Sequence, residues 1–200
     1  ENHNTISDFT DLEHERENTL YSHLMHVKWH NNKINVIDTP GFDDFIGEVV
    51  SSLKVSDTAV ILLNAASGVE VGTEIVWEYV QNYQTPAFFV INQMDHPKAD
   101  FETTLEQAIN RFGNKVIPIQ YPYNSGEKFN SIIDVLRMTM YVFPENGGKP
   151  EKMPIPESEL EKANALHNAL VEAAAENEEG LMEKYFEKGN LDETELAKGL

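Results

Sequence analysis

The chain has 200 residues, 40% of them hydrophobic and 10% aromatic, so it can bury a substantial core and is not a disordered protein. Its 34 acidic residues outnumber 15 basic ones, and the formal net charge of −19 argues against non-specific binding to nucleic acid or an anionic bilayer. The absence of cysteine excludes disulfides and thiolate metal sites. No apolar run is long enough to span a membrane, and the polar start is not a signal peptide. We expect a cytoplasmic monomer without a membrane partner.

Hydrophobic periodicity in the first half of the chain switches repeatedly between two residues and about 3.6, which is typical of an α/β domain. Alternation in the segments 21–29 and 33–38 predicts a β-hairpin. Beyond the hairpin, the pattern predicts alternating helices and strands: helices over 45–55, 70–83 and 101–112, and strands over 58–65 and 87–92.

The composition changes after Gly113, which predicts a separate lobe with its own small core. Apolar Ile132, Ile133, Leu136 and Met140 recur at helical spacing and predict a helix over 128–141. The other elements expected here are a strand over 115–121, a loop over 144–156, and helices over 159–176, 180–188 and 192–200. We therefore divide the chain into domains 1–113 and 114–200.

A four-residue motif, Asp38, Thr39, Pro40 and Gly41, directly follows the apolar run 34–37. A carboxylate that ends a buried strand can hold Mg²⁺ through water, and glycine lets its backbone N–H approach a phosphate. The motif is therefore typical of a sensor for a terminal phosphate. The alternative is a strand cap followed by ordinary turn residues.

A second motif, Asn92, Gln93, Met94 and Asp95, follows the predicted strand 87–92. Guanine presents two adjacent N–H donors, which the carboxylate of Asp95 can accept, while the amide of Asn92 can bond the other edge of the base. Adenine lacks this donor pair and would leave the carboxylate unpaired. Both motifs follow strands, where open α/β sheets bind their ligands.

With these motifs in place, the chain resembles the translation elongation factor G class of ribosomal GTPases. The resemblance covers nearly all of the chain, including Glu15-Arg16 before Thr19, the run from Trp29 to Gly41, Asp43-Asp44-Phe45, Gly68-Val69-Glu70, Thr73-Glu74 with Trp77, the run from Asn92 to Asp95, and the segments 129–138 and 166–185. It implies a P-loop GTPase-like α/β three-layer sandwich that lacks its first strand, plus an inserted α+β subdomain.

The resemblance also implies ligands and partners. GTP or GDP would bind with Mg²⁺, which Thr19 would coordinate directly and Asp38 through water. Gly41 would contact the γ-phosphate, and Asn92 with Asp95 would read guanine. The partner would be the ribosome, in elongation or recycling, and the acidic helix near 157–179 could dock a basic ribosomal stalk protein domain.

Three departures from the family pattern limit what carries over. The phosphate loop Gly-x-x-x-x-Gly-Lys-Ser/Thr is absent from the 200 residues, and we expect it upstream of residue 1. Phe42 stands where the family has a histidine that orients the attacking water, so no catalytic residue is assigned and hydrolysis should be slow or absent. Gln93 replaces a lysine whose stem covers the base, and Glu17-Asn18 replace Gly-Ile before Thr19.

Two other functions stay open. Phe42 favours a GTP-gated or nucleotide-independent ribosome-binding factor, and Asp38 with Asp43 and Asp44 allows a metal-dependent phosphohydrolase without preference for guanine. His23, His26 and His30 suggest a metal site, but a strand places His23 on the face opposite the other two, so we expect surface histidines.

Overall fold

The structure is a computed structural model that describes residues 5–177, 179–188 and 191–200; residues 1–4 of the predicted first domain lie outside the described residues. The chain separates into two compact units, one made of Glu1–Leu62 and Glu70–Val90 and the other of Leu63–Val69 and Ile91–Leu200. The segments that begin in the first half are α1 (Asp11–Arg16), β1 (His23–Trp29), β2 (Asn32–Asp38), a 3₁₀ turn (Asp43–Phe45), α2 (Ile46–Leu53), β3 (Ala59–Asn64), α3 (Val71–Tyr83), β4 (Ala87–Asn92) and α4 (Phe101–Phe112).

The predicted hairpin is confirmed. β1 and β2 pair antiparallel, with His23 opposite Asp38 at one end and Trp29 opposite Asn32 at the other. His30, with a φ of 50°, makes the tight turn between the strands. Among the described residues β2 pairs only with β1, while β3 and β4 form a separate sheet.

β3 is buried on one face only, although residues 59–63 are all apolar. Ala59, Ile61 and Leu63 are buried, whereas Val60 and Leu62 are 62% and 63% exposed. Side chains along a strand point alternately to opposite faces, so one face packs against the core and the other remains accessible. The apolar run therefore reports the strand but not the extent of its burial.

The later part of the chain contains β5 (Gln120–Pro122), β6 (Ser131–Asp134), β7 (Thr139–Val142), β8 (Glu151–Met153), α5 (Leu160–Asn177), α6 (Glu179–Lys188) and α7 (Glu193–Gly199). The four strands form one antiparallel sheet in the order β5-β6-β7-β8. The predicted strand over 115–121 shortens to β5, and β8 lies in the segment expected to be a loop. The three predicted C-terminal helices are present as α5, α6 and α7.

The helix predicted over 128–141 is wrong, because the segment forms the hairpin of β6 and β7. Asp134 Oδ1 accepts a hydrogen bond from the Arg137 N–H at 2.9 Å, and Met138 adopts a φ of 50°, so the chain reverses between the strands. β-Branched Ile132 and Ile133 favour a strand. Their spacing to later apolar residues imitated a helical face.

α5 packs against two hydrophobic clusters of the second unit. One cluster lies at the antiparallel sheet and contains Tyr121, Ile133, Val135, Met140, Ile155, Ala163 and Leu170. The other joins α5 to the C-terminal helices through Val171, Ala174, Ala175, Leu181, Leu191 and Leu196. Within the described ranges, no helix combines the length and apolar character needed to cross a bilayer.

Candidate functional site

The segment after β2 leaves the predicted phosphate sensor accessible. Asp38 and Thr39 are half-buried, Pro40 is buried, and Gly41 is exposed with no atom within 4 Å of the position that a Cβ would occupy. The space beside the Gly41 Cα is therefore open. Phe42 is 56% exposed and begins the 3₁₀ turn, where its carbonyl accepts a hydrogen bond from the Phe45 N–H at 3.0 Å.

Asp43 contacts the first turn of α3. Its Oδ1 lies 3.0 Å from the position of a Cβ at Gly72, the second residue of that helix. A carboxylate is favourable there because the N-terminus of a helix carries partial positive charge. Asp43 therefore lies close to the start of α3, and this approach depends on the absence of a side chain at Gly72.

Thr19, the predicted direct magnesium ligand, is engaged elsewhere. Its hydroxyl donates to Asp8 Oδ1 at 2.7 Å. Hydroxyl and carboxylate oxygens such as those of Thr19 and Asp38 suit Mg²⁺, so the donor chemistry fits the predicted ion. The Thr19 oxygen keeps its lone pairs while the hydroxyl proton is donated to Asp8, so this bond orients the hydroxyl without consuming its ability to bind a cation.

A buried carboxylate, Glu13, organises the segment around Thr19. Glu13 is 1% exposed, and it completes a capping box at α1 with Thr10. Its Oε1 accepts hydrogen bonds from the N–H groups of Leu20 (3.1 Å) and Tyr21 (3.3 Å) and from His23 Nε2 at 2.8 Å. Its Oε2 accepts from the Thr10 hydroxyl at 2.6 Å and the Thr10 N–H at 3.3 Å.

These contacts change the acidity of Glu13. Burial raises the pKa of the carboxyl group, but hydrogen bonds from Thr10, His23, Leu20 and Tyr21 outweigh this effect and lower the pKa to about 2. Glu13 therefore stays ionised across the physiological pH range, and His23 Nε2 acts as the donor in their bond.

The expectation that His23 lies on the surface is wrong. Its exposed fraction is 7%, and its ring lies 4.5 Å from the Phe9 ring between centroids. Asp8, Glu13 and His23 present ligand atoms within 4.8 Å of one another. The oxygens of Glu13 are already occupied by five hydrogen bonds, so this cluster is a structural junction rather than an open metal site.

The second motif begins at the last residue of β4, and the carbonyl groups of its first three residues accept backbone hydrogen bonds. The Asn92 carbonyl accepts from the Ala65 N–H at 3.0 Å, that of Gln93 from the His96 N–H at 3.0 Å, and that of Met94 from the Gly126 N–H at 2.8 Å. Two of these bonds join the loop to other segments, at Ala65 and Gly126, and the third closes its own turn. Its backbone is therefore fixed before any ligand binds.

The side chains of this loop divide into two groups. Met94 is buried, and Gln93 Oε1 accepts a hydrogen bond from Asn64 Nδ2 at 2.9 Å. Asn92 and Asp95 are exposed, and in the described part of the chain their side chains take part in no hydrogen bond. The two side chains predicted to read guanine are thus the two that remain available to a ligand.

The two motifs belong to different compact units: Asp38 to Phe42 lie in the first, and Asn92 to Asp95 in the second. Sequence reasoning missed Asp8, Glu13 and Asn64. The Thr10-Asp11-Leu12-Glu13 run carries a capping-box pattern that would have revealed α1 and the role of Glu13.

Comparison with known proteins agrees with this geometry. The profile of the elongation factor Tu GTP binding domain matches residues 1–196. The chain belongs to this family. It is 38% identical to elongation factor G of Mycoplasma genitalium over 186 residues. The matched region covers 92% of this chain but only 27% of that protein. It therefore spans about a quarter of the length of this relative.

The crystal structure of ttk003000868 from Thermus thermophilus superposes with a TM-score of 0.87 at 28% identity, over 98% of this chain and 29% of that one. Together with the family membership, this match confirms the predicted α/β fold of a P-loop GTPase domain. It also supports a GTP-binding, translation-related ancestry for the chain.

Proposed function

We propose that this chain is the guanine-reading and γ-phosphate-sensing part of an elongation factor G-like factor that acts on the ribosome in the cytoplasm. The observation that carries the proposal is the loop after β4, where Asn92 and Asp95 are exposed and unengaged while Gln93 and Met94 are held by the protein. This arrangement leaves a carboxylate and an amide on a rigid loop for the edge of a base.

The proposed phosphate-sensing role belongs to the first motif, within the first unit. Gly41 is exposed and would contact the terminal phosphate, and Asp38 with Thr19 would hold Mg²⁺, which neutralises phosphate charge when bound. The Thr19 hydroxyl that donates to Asp8 would keep its oxygen lone pairs for the ion. Because the 200 residues contain no Gly-x-x-x-x-Gly-Lys-Ser/Thr loop, we expect this chain alone to bind GTP weakly.

We further propose slow hydrolysis, with GTP acting more as a ligand than as fuel. Phe42 has no hydrogen-bonding side-chain atom and cannot orient a water molecule. A GTP-gated ribosome-binding factor is the second candidate function, which this exposed Phe42 side chain favours. We assign residues 1–113 to the GTP-binding domain and 114–200 to an inserted subdomain, whose acidic helices would meet a basic stalk protein domain.

Nucleoside titrations followed by NMR of the ¹⁵N-labelled chain test the guanine site without depending on phosphate contacts. We expect guanosine to shift the amide signals of Asn92 to Asp95, and adenosine to leave them unchanged. Xanthosine carries a carbonyl where guanosine has its amino group, so Asp95→Asn should lose guanosine and gain xanthosine. Equal responses to guanosine and adenosine would contradict the proposal. Tight GTP binding in calorimetry would contradict the weak affinity expected of this chain.

A further inference from the structure

The head group of Gln93 is held by Asn64, and the direction of this contact is fixed. Asn64 Oδ1 accepts hydrogen bonds from the N–H groups of Ala66 at 2.8 Å and Ser67 at 3.3 Å. Because these two donors identify the oxygen of the Asn64 amide, its NH₂ group must face Gln93, where Nδ2 donates to Oε1 at 2.9 Å.

The turn that carries Asn64 is anchored to the start and middle of α4. The Ala65 carbonyl accepts from the Asp100 N–H at 2.8 Å, and the Val69 N–H donates to Gln107 Oε1 at 2.9 Å. A further bond closes the turn itself, from the Gly68 N–H to the Asn64 carbonyl at 2.8 Å. Asn64 therefore has little freedom to move away from Gln93.

Gln93 adopts a backbone conformation that few side-chain-bearing residues choose. Its φ is 59°, in the left-handed region, which costs a non-glycine residue free energy and persists when neighbouring contacts determine it. The turn at Gln93 separates Asn92 from Asp95 in the chain and so sets where their side chains emerge. The bond from Asn64 is the side-chain contact that restrains this residue.

We propose that Asn64 is a positioning residue for base selectivity, which acts through Gln93 to hold the Asn92–Asp95 loop in its guanine-reading conformation. This inference rests on the proposed function and deepens it. Asn64 itself does not contact the base. The contact engages Gln93 Oε1 and so orients the amide of this exposed side chain.

A double-mutant cycle tests this arrangement, with guanosine and adenosine binding to the 200-residue chain measured by NMR titration. Gln93→Ala should lower guanosine affinity about two- to ten-fold, the range expected for loss of one neutral hydrogen bond. Asn64→Ala should lower it at least as much, because it also removes the acceptor of the Ala66 and Ser67 N–H groups. The double variant should lose no more than Asn64→Ala alone, because the contact with Gln93 is already absent there. Additive losses would overturn the inference, since the Gln93 head group would then act independently of Asn64.

A change of the contact chemistry provides a rescue. Gln93→Lys places an ammonium donor against the NH₂ group of Asn64, so selectivity for guanosine over adenosine should fall. Adding Asn64→Asp to this variant supplies a carboxylate acceptor for the lysine and should restore the selectivity for guanosine. Failure of the restoration would count against the inference. Asn110→Ala, at an exposed position on α4, serves as the matched control and should change neither affinity.

A ligand-free measurement separates the two proposals. If the unmodified chain does not distinguish guanosine from adenosine, the proposed function fails. The contact is still tested by the side-chain NH₂ signals of Gln93, which should shift on Asn64→Ala and stay unchanged in Asn110→Ala. If the chain selects guanosine but the Gln93 NH₂ signals do not shift on Asn64→Ala, only the positioning role of Asn64 is refuted.

Discussion

The ionised carboxylate of Glu13 accepts a hydrogen bond from His23 Nε2 at 2.8 Å, with both side chains buried. This contact joins α1 to the first residue of β1, and the same Glu13 oxygen accepts the N–H groups of Leu20 and Tyr21. Thr19 lies inside the loop that these bonds close. The conformation of the predicted magnesium ligand is therefore controlled by a residue that has no place in the nucleotide motifs.

Replacing Glu13 should destabilise the first unit. Glu13→Gln removes the charge and turns an acceptor oxygen into a donor, which then faces N–H or O–H donors. Hydrogen bonds to a charged group contribute about 1.5–3 kcal/mol, so we expect a loss of at least this size in the free energy of unfolding. Urea denaturation followed by circular dichroism measures it. Glu15→Gln, an exposed position on the same helix, is the control, and an equal loss there would refute the assignment.

Acid should remove the contribution of Glu13. The folded-state pKa of about 2 lies below the ordinary value of 4.5, so the stabilisation is complete above pH 4.5 and disappears as the pH falls towards 2. The difference in unfolding free energy between the unmodified chain and Glu13→Gln should therefore shrink between pH 7 and pH 3. A difference that grows on acidification would contradict this linkage.

Gly68 should tolerate alanine less well than Gly126. Both have a φ near 75°, where a side chain costs roughly 1–2 kcal/mol. At Gly68 a Cβ would lie 2.1 Å from Gln107 Oε1 and would displace it from the Val69 N–H, adding about 0.5–1.5 kcal/mol. At Gly126 the nearest atom is 3.9 Å away. Thermal unfolding should give a lower melting temperature for Gly68→Ala than for Gly126→Ala.

The displacement of Gln107 has its own check. When both glycine variants are made in a Gln107→Ala background, most of the difference in stability between Gly68→Ala and Gly126→Ala should disappear, because the clashing side chain is gone. A Gly68→Ala variant that is as stable as Gly126→Ala, or that Gln107→Ala makes worse, would disagree with the packing described for this turn.

Phe42→His should raise the rate of GTP hydrolysis in a protein that supplies the remaining phosphate contacts. A suitable background is Mycoplasma genitalium elongation factor G with its matching region replaced by this chain. A positioned acid–base group contributes about 10²–10⁴-fold, so ribosome-stimulated phosphate release should increase within that range. GTP binding by both chimeras is the folding control. Equal rates with Phe42 and with histidine would contradict slow hydrolysis caused by Phe42.

Local patterns predicted much of the first half of the chain. The alternation before Asp38 gave the β1–β2 hairpin, and helical spacing predicted α2, α3 and α4 within a few residues. These elements depend on which side chains face the core, and that periodicity is written in the sequence. The proposed guanine motif could be predicted for a similar reason, because its residues are adjacent in the chain.

The β6–β7 hairpin shows where local patterns fail. Ile133 and Met140 sit directly opposite each other in the antiparallel register, yet their separation of seven residues along the chain also fits two turns of a helix. Only the antiparallel partners, β5 on one side and β8 on the other, decide between the two structures. Spacing alone cannot supply that information.

By itself the sequence determined the family and the α/β class, and it predicts that Asp38 to Gly41 and Asn92 to Asp95 meet a nucleotide, because motifs and periodicity are local properties of the chain. The tertiary structure decided which of those side chains are free. Asp8 reaches Thr19 across 11 positions, and Asn64 reaches Gln93 across 29. Such hydrogen bonds depend on contacts between distant segments, which only the folded chain brings together.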